Sequence, residues 1–158
     1  MGFIPSKKVS NSYGNFDSET EWWCYEQKIL PLISSGEIYD VQLHQTFEII
    51  PRLTKKVVVL LKTKVKIVER VVEKAAVYTC DFFYKRNTSN GVEFHIVECK
   101  SNFSAQARDY PLRRKLIRRK MAEWNEAEGW EKWVFDEYKE TDLVKPPKKV
   151  RVKKSKSK

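Results

Sequence analysis

Residues 78–100 constrain this chain more than any other stretch, because charged groups interrupt two strongly apolar runs there. The runs, Tyr78-Thr79-Cys80-Asp81-Phe82-Phe83-Tyr84 and Val92 to Lys100, are rich in aromatic and β-branched residues. They flank the turn formers Asn87-Thr88-Ser89-Asn90-Gly91. The pattern predicts a hairpin. A turn centred between Ser89 and Asn90 pairs Lys85 with Phe94, Phe83 with Ile96 and Asp81 with Glu98. Opposed side chains share one face about 5 Å apart, and two carboxylates there repel unless a positive group lies between them. A divalent cation is the economical remedy. Strand alternation brings Lys100 to the same face, so two acids and an amine converge.

The chain has 158 residues, enough for one domain with a core. Its longest purely aliphatic run, Val57 to Leu61, is too short to span a bilayer, so the expectation is a soluble, cytoplasmic protein with no membrane partner. Cys24, Cys80 and Cys99 show neither paired zinc-finger spacing nor a disulfide framework. Cys80 and Cys99 are predicted to face each other across the hairpin as buried thiols.

The net charge is +10, and residues 145–158 hold eight Lys or Arg and no acid, which leaves +2 for residues 1–144. Within that body, basic residues cluster at positions 55–74 and 108–120. Two patches and a basic tail suit a polyanion partner.

The predicted organisation is a flexible arm over residues 1–15, a core domain over 16–140 and a disordered basic tail over 141–158. A helix follows Ser18, with Trp22, Tyr25, Ile29, Leu32 and Ile33 as its buried stripe, Pro31 near its end and Gly36 closing it. Ser18 and Glu21 form a capping-box pattern in which the glutamate bonds the backbone N–H of Ser18. Ile38 to Ile50 is predicted as one strand with Val41, Leu43, Gln45, Phe47 and Ile49 on one side. Between residues 57 and 78 strands are favoured, with Lys62, Lys64 and Lys66 alternating along one face. That face is either a solvated edge or a phosphate contact. Pro111 opens a second helix with Leu112, Leu116, Ile117, Met121 and Trp124 inward. Arg113, Arg114, Lys115, Arg118, Arg119 and Lys120 surround that stripe without an acid among them, which points to phosphate contact. Gly129 ends the helix, and a last strand follows with Trp133 and Phe135 on one side. His95 falls on the hairpin face opposite Asp81 and Glu98 and reads as a core histidine. His44 stands alone in its strand and receives no role.

Asp81, then sixteen residues, then Glu98-Cys99-Lys100 resembles the Asp…Glu-x-Lys core of the PD-(D/E)XK nuclease superfamily. The resemblance covers residues 16–138 and is closest to small phage-type members, including an uncharacterised phage family, and more distantly to phage endonuclease I junction resolvases. It implies a mixed α/β, restriction-endonuclease-like core with a central mixed sheet flanked by helices. It further implies a Mg²⁺-dependent DNA endonuclease acting on branched or junction DNA, with Mn²⁺ as a substitute. Asp81, Glu98 and the Cys99 carbonyl would hold the ion, and Lys100 would orient the water. Glu21 takes the position of the first-helix acid, alongside its reading as a cap. The same analogy implies a homodimer, and the host cytoplasm as location for a phage-encoded chain. The rival is a non-catalytic nucleic-acid-binding protein using the basic helix and tail.

Overall fold

The computed structural model describes residues 7–102 and 109–147. Its frame is a four-stranded mixed sheet in which the strands at residues 133–139, 91–100, 82–88 and 38–43 lie side by side in that order. Strand β8 (Phe82–Thr88) runs antiparallel to both β3 (Ile38–Leu43) and β9 (Gly91–Lys100), whereas β10 (Trp133–Lys139) lies parallel to β9. A parallel neighbour requires a crossover, and α3 (Tyr110–Glu128) lies between β9 and β10 in the chain. Pro111 sits in its first turn and Gly129, at φ 77°, caps it in the left-handed conformation.

Alternation along β8 and β9 divides the core in two. Phe82, Tyr84, Val97 and Cys99 face the helical segment at residues 19–34, while Phe83 and Ile96 face Ile117 and Met121 of α3. The helical segment consists of α1 (Glu19–Cys24), π-helical Tyr25–Ile29 and α2 (Leu30–Ser34). Pro31 has no N–H to donate, and the wider turn precedes it. Tyr25 and Ile29 are buried as the stripe predicts. Leu112, predicted inward, is 61% exposed: burial on α3 falls on Tyr110, Ile117 and Met121, and Leu112 lies off that face.

The predicted strand at residues 38–50 is two strands in different sheets. β3 ends at Leu43, His44 adopts φ 55°, and β4 (Thr46–Ile50) pairs instead with β7 (Ala76–Thr79). Val41 and Leu43 pack toward the first core, Phe47 and Ile49 toward the second. The run from Tyr78 to Tyr84 divides in the same way, with Cys80 and Asp81 forming a corner between β7 and β8. Strands β5 (Leu53–Leu60) and β6 (Val65–Glu73) form a separate ribbon. Lys62 and Lys64 sit in its turn, closed by the Leu61 N–H donating to the Lys64 carbonyl at 2.9 Å, and only Lys66 lies in a strand. The predicted row of lysines on one strand face therefore does not form.

At the start of the described chain, β1 (Val9–Asn11) pairs with β2 (Gly14–Phe16) where the sequence predicts a flexible arm. The Ser10 hydroxyl donates to Asn15 at 2.6 Å, and the Tyr13 ring lies 5.9 Å from Trp22, which gives this short segment an anchor. The predicted tail is docked at its first residues: Leu143 is buried, and Gln27 exchanges bonds of 2.7 and 2.8 Å with the backbone of Val144. Residues 1–6, 103–108 and 148–158, including most of the basic tail, lie outside the described residues. Cys99 is bonded to Cys24, with Cα atoms 6.5 Å apart, and Cys80 is buried and free. The predicted facing of Cys80 and Cys99 fails because Cys99 points into the core under α1 and Cys80 into the core under α3. No helix among the described residues is long and apolar enough to cross a membrane.

Candidate functional site

The hairpin register matches the prediction rung for rung, from Thr88 with Gly91 to Phe82 with Val97. One step beyond, the Asp81 N–H donates to the Val97 carbonyl at 3.1 Å, and the Cys99 N–H donates to Asp81 Oδ2 at 2.6 Å. Asp81 is thereby held at the level of Glu98. Burial, with the nearby charges of Glu98 and Glu21, pushes the Asp81 carboxyl well above the usual range, against the opposing pull of Lys100 and the Cys99 N–H.

Glu98 is buried, and each of its oxygens is engaged: Lys100 forms an ion pair with Oε1, and the Tyr78 hydroxyl donates to Oε2 at 2.5 Å. Burial and the Glu98 charge push the Tyr78 hydroxyl far above an ordinary phenol. The Lys100 ammonium also stands 4.5 Å from the centre of the Tyr110 ring. Asp81, Glu98, Lys100, Tyr78 and Tyr110 line one cleft of about 250 Å³, together with Asp17, His44, Thr79, Cys80 and Arg113.

Glu21 reaches the rim of this cleft from α1. Ser18 caps the helix, its hydroxyl accepting from the Glu21 N–H at 3.1 Å. The reciprocal bond of the capping box shifts by one residue, with Glu21 Oε2 accepting from the Asp17 N–H at 2.8 Å. Glu21 Oε1 lies 2.7 Å from His44 Nε2, and Asp17 Oδ2 lies 3.8 Å from the same nitrogen. Burial raises the Glu21 pKa, with the Asp17 charge adding to it, against the Asp17 N–H and His44. Donor atoms of Asp17, Glu21 and His44 lie within 4.8 Å of one another, a cluster able to hold a metal ion. Carboxylate oxygens plus an imidazole nitrogen extend the range of suitable ions beyond Mg²⁺ to transition metals.

His44, to which the sequence assigns no role, donates its backbone N–H to the Asp81 carbonyl at 3.1 Å while its ring faces Glu21. Its left-handed backbone aims the ring at the cleft instead of along a strand face. Tyr78, Tyr110 and Asp17 are likewise silent in the sequence, because aromatics in apolar runs and a lone aspartate before a helix carry no catalytic spacing. His95 is on the opposite face, as parity requires, stacked on Tyr84 at 4.7 Å and placed between Asp136 at 2.7 Å and Glu93 at 3.1 Å.

The basic residues of α3 divide by partner. Arg113 lines the cleft, its guanidinium 5.9 Å from the Tyr78 ring. Arg114 turns to β10, where it bonds both oxygens of Glu137 at 3.1 Å, and the Tyr110 hydroxyl donates to the same carboxylate. Although burial acts in the other direction, these donors hold Glu137 below its usual range. Arg119 and Lys120 pair with Glu123 at 3.6 and 3.4 Å, while Lys115 and Arg118 are exposed. Lys62, Lys64 and Lys66 belong to the β5–β6 ribbon and do not line this cleft.

No protein-family model matches the chain, and neither a curated protein nor a solved structure matches it.

Proposed function

We propose that this chain is a divalent-metal-dependent DNA endonuclease that hydrolyses phosphodiester bonds in the cleft beside Asp81. One observation carries the reading: Asp81, Glu98 and Lys100 meet in a single cleft, with Glu21 and His44 at its rim. The order of elements supports a restriction-endonuclease-like core, with a helix, antiparallel β3, β8 and β9, helix α3, and β10 parallel to β9.

The donor set suits a cation. Asp81 and Glu98 offer hard carboxylate oxygens of the kind that hold Mg²⁺, and the raised Asp81 pKa marks a carboxylate short of positive charge. The Cys99 peptide is already at the site through its N–H bond to Asp81, and its carbonyl would be the third ligand. When bound, Mg²⁺ or Mn²⁺ would supply a water of lowered pKa and offset charge building on the phosphate. Glu98, now held by Lys100 and Tyr78, would give an oxygen to the ion. Lys100 would lie beside the scissile phosphate and balance its non-bridging oxygens. Glu21, Asp17 and His44 form a second cation-binding group at the rim. Arg113, Lys115 and Arg118 provide the adjoining positive surface for a sugar-phosphate backbone. Branched or junction DNA is the proposed substrate, by analogy with the resolvases that the Asp…Glu-x-Lys pattern resembles.

The test uses supercoiled plasmid and a four-way junction, each with Mg²⁺, Mn²⁺ or EDTA, and compares the native chain with Asp81→Asn and Lys100→Ala. Metal-dependent cleavage that disappears in both variants while DNA binding persists is expected. Intact DNA under every metal condition, with binding retained, overturns the enzyme and favours a non-catalytic nucleic-acid-binding protein.

A further inference from the structure

The β5–β6 ribbon pairs with no other strand among the described residues, and a lone two-stranded ribbon is marginal in water without a covered face. Its register sets which side chains share a face. The rungs Leu60 with Val65, Val58 with Ile67, Lys56 with Glu69 and Thr54 with Val71 point to one face; Val59 with Lys66, Val57 with Val68 and Lys55 with Arg70 point to the other. The first face is aliphatic over its outer half, where Val58, Val65, Ile67 and Leu60 are between 60% and 78% exposed. The second carries its lysines and arginine outward. Val57, Val59 and Val68 on the second face are half-buried, so the uncovered aliphatic surface of the ribbon lies on the first.

We infer that a second copy of this chain covers the aliphatic face, the two ribbons packing about a two-fold axis along their length. Such an axis keeps each rung at its own level and exchanges the strands, so that β5 of one copy lies over β6 of the other. Leu60 then meets Val65, and Val58 meets Ile67, across the interface. Lys56 meets Glu69 in the same way. The charges favour this arrangement. Within one chain, Glu69 accepts from the Thr54 hydroxyl at 2.5 Å, and no ion pair joins Lys56 to Glu69 although they share a rung. A two-fold perpendicular to the strands would reverse the ribbon, placing the aliphatic tip over the charged rung. Val71, 53% exposed, extends the patch beyond that rung. The aliphatic side chains with the stems of Thr54, Lys56 and Glu69 bury on the order of 1,000 Å² over both copies, the lower bound for a specific interface. An interface of that size suits weak, reversible association. Lys55, Lys66 and Arg70 stay outside, so pairing does not require their charges to be buried.

Sedimentation equilibrium of the full chain from roughly 0.1 to 100 µM covers the affinity that this area supports. A monomer–dimer equilibrium is expected, weakened at least tenfold by Val58→Lys with Ile67→Lys, while the near-ultraviolet circular dichroism of the body stays unchanged. A second measurement does not depend on that variant folding. Val58→Cys chains are mixed with differently tagged Ile67→Cys chains and oxidised gently. The mixed disulfide should form in preference to either self-linked product. A native chain that stays monomeric throughout overturns the inference, as do self-linked products that form as fast as the mixed one. Loss of four-way-junction binding in the double-lysine variant of a monomeric chain also overturns it, and assigns the ribbon to DNA instead.

Discussion

Neutralising Asp81 should stabilise the metal-free protein. Rung neighbours stand about 5 Å apart, and two carboxylates at that separation repel by about 3 kcal/mol at an effective dielectric of 20. Lys100 offsets part of this, and Glu21 adds to it. Asparagine keeps an oxygen to accept the Cys99 N–H, so Asp81→Asn removes the charge without orphaning that donor. The expected gain is about 1–3 kcal/mol in EDTA, or about 3–10 °C in melting temperature for a chain of this length. The pH dependence has a definite sign. An acid whose folded pKa lies above its unfolded value, 3.8 for aspartate, binds its proton more tightly in the fold. The native chain therefore gains stability as pH falls from the raised folded value toward the unfolded one. The advantage of the variant closes over the same window. Magnesium should reverse the order: a ligand at about a thousand times its dissociation constant stabilises the native fold by about 4 kcal/mol, and the variant should gain far less. Differential scanning fluorimetry with EDTA and with Mg²⁺, across a pH series, reads all three. A lower melting temperature for Asp81→Asn in EDTA would refute the reasoning, as would equal magnesium shifts in both proteins.

The Cys24–Cys99 bond closes a loop with a sequence separation of 75, for which chain entropy predicts about 4 kcal/mol of stabilisation. Cys24→Ser should lower the urea-unfolding free energy by about 3–4 kcal/mol, and a loss below about 1 kcal/mol would show that the constraint is not entropic. Arg114→Gln should cost about 1 kcal/mol near neutral pH, because the Arg114–Glu137 pair is only partly buried. Glu137 has a lowered folded pKa, so its contribution is present above the unfolded value and lost as pH falls through the folded one. The variant should therefore lose less stability on acidification than the native chain in a pH series of urea melts.

The register that brings Asp81 level with Glu98 was legible because turn formers and period-two alternation specify it together. Glu21 was legible as a cap, and its second contact, with His44, was not. The reason lies in the strand break. Val41, Leu43, Phe47 and Ile49 keep the same parity through His44, so alternation reads straight across a point where the chain changes sheet and core. No glycine or proline marks that point. The Lys62 to Lys66 alternation misled in the opposite sense, since a tight turn can hide inside a run of β-branched residues and lysines. The disulfide joins residues too far apart in sequence for spacing to reveal, and only the packing of α1 on β9 brings them together.

The corner at Cys80 supplies a built-in reporter. With Cys24 and Cys99 bonded, it carries the only thiol in the chain, inside the cleft and beside Asp81. Burial, together with the Glu98 and Asp81 charges, pushes that thiol up to about 12, and its S–H points at the Gln45 carbonyl 3.4 Å away. A thiol reagent must therefore wait for the corner to open before it meets a reactive thiolate. The labelling rate becomes a clock for opening of the cleft, and its slowing on addition of metal or DNA would time closure without any engineered probe.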